Sequence, residues 1–123
     1  MPVGYKVTAE GPHSTLKSSS INGEKATIYP VGDTVCRVDG NGPLALFSSI
    51  KDARTYADQM QWVGTKVWEA MYIPSRDEGL WVKGWASVEA LDVAGDIFRY
   101  LGIDVVDPII YADAVHLIRE IER

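Results

Sequence analysis

The chain has 123 residues, 46% hydrophobic and 24% charged, with a formal net charge of −5. This balance describes one folded domain over residues 1–123, large enough to bury a core without staples, and it excludes a disordered chain. The 12 Lys and Arg are scattered and form no basic run, which argues against nucleic acid and an anionic membrane surface as partners.

The single cysteine excludes an intrachain disulfide. No apolar run reaches the roughly 18 residues a membrane-spanning helix needs. The opening MPVGYKVTAEGPH lacks the basic-then-apolar order of a secretory leader, so a cytoplasmic location is expected.

In chain order, residues 6–9 suggest a first short strand, set between Gly4 and Gly11-Pro12. Residues 14–29 suggest a hairpin with arms over 16–21 and 25–29. Its turn would be Asn22-Gly23, which suits a type I′ turn because both central positions there need positive φ. The three serines at 18–20 have little β-propensity, so the first arm is expected at a sheet edge. Residues 34–38 (TVCRV) and 44–47 (LALF) flank Asp39-Gly40-Asn41-Gly42-Pro43 and read as a second hairpin with a five-residue loop.

Residues 42–74 carry the clearest pattern, strand then capped helix then strand. Ser49 is placed to cap a helix, with Asp52 three residues on in the manner of a capping box. Ile50, Ala53, Ala57 and Met60 fall on one helical face, and Lys51, Asp52, Arg54 and Asp58 take the other side. Residues 66–73 (KVWEAMYI) form the strongest strand pattern. Val67, Met71 and Ile73 share one face with Glu69, while Trp68, Ala70 and Tyr72 share the other, so cover on both sides is expected. Residues 75–79 suggest a turn, after which 80–85 would pair back antiparallel.

The last third is less regular. Residues 93–101 suggest a helix ended by Gly102, although VEALDV over 88–93 fits a strand equally well. Residues 103–106 suggest a short strand, and Asp107-Pro108 a break. Residues 112–121 suggest a closing amphipathic helix with Ala114, Leu117, Ile118 and Ile121 inward. The expected fold is α+β: a mainly antiparallel sheet of five to seven strands with two or three packed helices.

Few residues invite chemistry. Residues 40–45 spell G-x-G-x-x-A, but Pro43 and the strand-like LALF deny the helix start that a dinucleotide fingerprint requires. Cys36 has only His13 and His116 as candidate bases, and a β-branched strand points to a buried, inert thiol. One cysteine and two distant histidines do not make a zinc set. Glu69 is the one ionisable group inside an apolar strand; buried, it would be a candidate general acid or base, and otherwise it pairs with a basic residue across the sheet. Trp62, Trp68, Tyr72, Trp81 and Trp85 fall close together, either as core or dimer cover or, with Arg76, as a groove.

Tyr29-Pro-Val-Gly32, Pro43-Leu-Ala-Leu-Phe47, Ser49-Ile-Lys-Asp-Ala53 with Ala57, and Trp68-Glu69 follow one another in order. That order resembles small uncharacterised domains of microbial and phage proteins. Those have a Tyr-x-x-Gly turn, an apolar strand ending in Phe, a short helix and a strand with an aromatic–acidic pair. The resemblance spans residues 29–72 and implies an α+β fold; it implies no activity and no catalytic residue.

Two functional readings stand. The first is a non-catalytic binding or assembly module, a candidate homodimer or binder of a protein partner, using Trp68, Tyr72, Arg76, Trp81 and Trp85. The second is a small nucleotide- or sugar-handling transferase with Glu69 as acid or base and Arg76 or Arg37 as the anion contact. No nucleophile–base pair, metal set or phosphate loop is visible in the sequence. The first reading is therefore favoured, and no cofactor or metal is expected.

Overall fold

The computed structural model describes residues 1–10, 16–18, 28–37, 42–59, 64–77 and 107–122. Among these, period-two alternation and β-rich composition give six strands, and one amphipathic stretch gives a helix. The strands are β1 (Val3–Glu10), β2 (Leu16–Ser18), β3 (Thr34–Cys36), β4 (Leu44–Phe47), β5 (Lys66–Pro74) and β6 (Ile109–Ile121). The helix, α1 (Ile50–Gln59), lies between β4 and β5.

Every strand pairing is antiparallel. β5 lies between β1 and β6, β6 also pairs with β4, and β4 pairs with β1. The sheet therefore closes on itself as a small ring, β1–β5–β6–β4–β1. β2 extends the edge of β1, and β3 extends that of β6. Closure satisfies edges that an open sheet would leave bare. It is uneven, however. β1 meets β4 through the single pair Tyr5↔Phe47, whereas β1 and β5 run in register from Val3↔Met71 to Thr8↔Lys66.

The seam between β1 and β4 is close because Gly4 has no side chain. A Cβ there would stand 3.1 Å from Ile110 Cδ1 and 3.3 Å from the Phe47 carbonyl oxygen. Alternation then divides the side chains between two faces. Inside the ring, Leu44, Leu46, Trp68, Ala70, Val115 and Leu117 form one buried cluster with Tyr29 and Ala112. Outside it, α1 lays Ala53, Tyr56 and Ala57 against Val7, Phe47 and Val67. Phe47 and Tyr56 pack with ring centroids 5.2 Å apart.

The cap of α1 forms as its sequence suggests. Ser49 Oγ accepts from the Asp52 N–H at 3.1 Å, satisfying a donor with no partner inside the helix. Asp52 is not on the solvated side that the helical spacing assigns it. It is buried, and its carboxylate accepts from the Asp107 N–H at 2.8 Å, anchoring the chain just before β6. The Pro30–Asp33 turn leading to β3 closes with an Asp33 N–H to Pro30 carbonyl contact of 3.4 Å, and Gly32 takes a φ of 86°. That conformation suits glycine at the third position of a turn.

The structure corrects three expectations. Residues 112–121 are part of strand β6, not a helix, so one helix is present among the described residues and not two or three. β3 and β4 do not form a hairpin; they follow one another along the same edge of β6, at His116–Ala114 and then Ala112–Ile109. β2 pairs with β1, and the arm expected over 25–29 lies mostly outside the described residues. The first strand is longer than 6–9 and begins at Val3. The Asn22-Gly23 turn, the strand over 80–85, the helix over 93–101 and the strand over 103–106 lie outside the described residues. Both edges of β5 are taken by β1 and β6. No helix among the described residues is long and apolar enough to cross a membrane.

Candidate functional site

The groups proposed for catalysis are held apart and already engaged. Glu69 and Arg119 face each other across β5 and β6, and Arg119 Nε donates to Glu69 Oε2 at 2.8 Å. Glu69 therefore sits in a cross-strand ion pair, the second of the two arrangements its sequence context allows. Arg37, just past β3, donates to Asp77 Oδ2 at 2.6 Å and Asp113 Oδ1 at 3.1 Å. Burial works against the Arg37 charge, but the hydrogen bonds and charges of Asp77 and Asp113 outweigh it, raising its pKa. Hydrogen bonds from Ser75 and then Arg37 hold the Asp113 carboxyl below its ordinary value. This cluster clasps the end of β3 to the far ends of β5 and β6. Along an extended strand, residues 69 and 75 are about 20 Å apart, so Glu69 and the Arg37 cluster do not share a site.

Of the aromatic set, Trp68 is buried inside the ring, and its indole N–H donates to Thr8 Oγ1 at 2.9 Å. Tyr72 packs half-buried against the same inner cluster. Arg76 is exposed in the turn after β5. Trp62, Trp81, Trp85 and His13 lie outside the described residues. Cys36 is exposed, which corrects the expectation of a buried thiol: its strand is an edge extension, and the face it occupies is not under α1. His116 lies on β6, where Nδ1 is 3.2 Å from Thr34 Oγ1, so the hydroxyl or the imidazole donates according to tautomer. Among the described residues no group of three or more His, Cys, Asp or Glu could hold a metal.

Two features were not singled out from the sequence. The first is an uncharged stretch of the outer face. Val3, Met71, His116 and Thr34 lie directly across from one another on β1, β5, β6 and β3. Ile73, Ala114 and Cys36 form the next row. α1 covers the Val7 and Val67 end of this face. On the two rows Val3, Thr34, Cys36 and Ile73 are exposed, Met71 and His116 are half-buried, and Ala114 is buried. Val3 and Ile73 are 47% and 46% exposed, respectively. Four strands side by side make the stretch roughly 15 Å wide.

The second feature is a polar group inside the ring. Lys6 is buried with Gly4 and Thr8 on the inward face of β1. Its Nζ donates to the Ala45 carbonyl at 2.7 Å and lies 4.9 Å from the centroid of the Tyr29 ring. Burial pushes the Lys6 pKa down to about 7. The buried Tyr29 hydroxyl has no hydrogen-bond partner among the described residues, and burial pushes its pKa up.

We find no protein-family model, curated protein or solved structure that matches this chain.

Proposed function

We propose that the chain is a non-catalytic binding or assembly module whose working surface is the partly exposed outer face at Val3, Met71, Ile73 and Cys36. The supporting observation is that two rows across four strands carry apolar and small polar side chains and no formal charge, on a molecule of net charge −5. Such a stretch is the place where two acidic copies can approach without bringing carboxylates together. A second copy of this chain is the occupant it fits. The transferase reading draws less support, because Glu69 is paired with Arg119 and Arg37 with Asp77 and Asp113, and the two clusters are set apart along β5.

The test is sedimentation equilibrium on the wild type and on Ile73→Lys. The reading expects the wild type to self-associate and Ile73→Lys to be monomeric with an unchanged thermal midpoint. A wild type that stays monomeric at the highest soluble concentration would remove the second copy as occupant. Equal association of both proteins would move the interface elsewhere.

A further inference from the structure

Lys6 sits at the weakest join of the ring. β1 and β4 share only the pair Tyr5↔Phe47, and the Lys6 side chain crosses that join to reach the Ala45 carbonyl. We propose that the β1–β4 seam is a proton-operated latch: a neutral Lys6 amine holds it shut, and proton uptake by that amine favours opening at the single strand pair.

The argument is one of solvation. Lys6 faces Leu44 and Leu46 from β4, Trp68 and Ala70 from β5, and Leu117 from β6, all within one buried cluster. The titratable groups on that side are Tyr29 from the segment before β3, Tyr72 and Lys66 from β5, and Glu120 from β6; Lys66 and Glu120 pair with each other at 3.5 Å at the exposed end of the face. One carbonyl is the only hydrogen-bond acceptor that Lys6 has among the described residues. A neutral amine is served by that acceptor, whereas an ammonium carries three donors and needs counter-charge or water. The seam is the join most readily parted, because β1 and β4 share one pair while β5 is bound in long register to both β1 and β6. Opening there is a local event, in keeping with the range of opening free energies across a folded domain. Burial favours the same neutral form, placing the change near neutral pH.

The test is amide hydrogen exchange on the wild type and on Lys6→Met, with each rate divided by its intrinsic value, at about pH 7 and about pH 9, a window between the buried and ordinary lysine values. In the wild type the opening constant of the β1–β4 amides is expected to be roughly a hundredfold larger at the lower pH, at tenfold per unit. The β5–β6 amides should stay better protected than the seam amides at both pH values, and Lys6→Met should lose the pH dependence of the seam. Seam and β5–β6 amides with the same opening constant at both pH values would mean global unfolding and overturn the latch; so would a Lys6→Met seam that behaves as wild type. Should Lys6→Met fail to fold, heteronuclear titration of the wild-type Lys6 side chain decides. A midpoint near neutral with concerted changes at the Phe47 amide supports the latch, and an ordinary lysine midpoint overturns it.

Discussion

Removing the Ser49 hydroxyl leaves the Asp52 N–H without its acceptor at the start of α1. Ser49→Ala is therefore expected to cost ~1 kcal/mol, read as a lower denaturation midpoint. Tyr29 should behave in the opposite way. Its hydroxyl is buried without a partner among the described residues. Tyr29→Phe is expected to raise stability by ~1 kcal/mol, because it removes a desolvated donor and keeps the ring. A loss of stability in chemical denaturation would show that the hydroxyl is satisfied after all. Ser49 was legible because a capping box is local: hydroxyl, spacing and helix start lie within four residues. Lys6 was not. Gly4, Lys6 and Thr8 spell a polar face of a strand by their letters, and only closure of the sheet turns that face inward. Cys36 misled in the reverse direction. Its β-branched neighbours suggest burial, but β3 borders β6 beyond the reach of α1.

At the scale of elements, β5 and α1 were readable because each keeps one period from end to end. β6 was not, because its period breaks twice. The register with β5 slips between Glu69 and Ala70 and again between Ile73 and Pro74, leaving Ile118 and Asp113 as extra residues. Apolar residues on both faces, Ala114 and Ile121 outside and Leu117 inside, fall at spacings of three and four and imitate a helix. The false hairpin of β3 and β4 has a different origin. Two short apolar runs around a Gly-Pro loop fit a hairpin locally, and neither run reveals that β6 is long enough to take both in succession. The seam gives the sharpest test at this scale. Gly4→Val would bring a branched side chain against Ile110 and the Phe47 carbonyl, a backbone atom that cannot rotate away. We expect a cost of about 1–3 kcal/mol from overpacking, measured as a fall in the urea midpoint. Retention of full stability would mean that β1 and β4 do not approach this closely.

The whole molecule should show an unusual pH profile. Lys6 has a folded-state pKa of about 7 against an ordinary 10.5. Between those values the unfolded chain binds the extra proton, so stability rises with pH through that window, and the benefit is lost as pH falls towards 7. Tyr29 acts with the opposite sign: its folded pKa is raised above the ordinary 10.0, so its contribution is complete below that value and declines above it. Stability should therefore climb from neutral pH to a maximum near pH 10, by roughly 3–5 kcal/mol from the Lys6 shift alone. Lys6→Met should flatten the climb in urea titrations at each pH; an equally steep climb in that variant would assign it to other groups. The central claim, that the uncharged outer face is an assembly surface, can be read from the thiol it already carries. Cys36 stands in the row with Ala114 and Ile73, exposed in a single chain. The decisive measurement is the labelling rate of Cys36 by a thiol reagent in the native protein as its concentration is raised. We predict fast labelling when dilute, progressive protection on concentration, and no protection in Ile73→Lys; labelling that stays fast at every concentration would contradict the account.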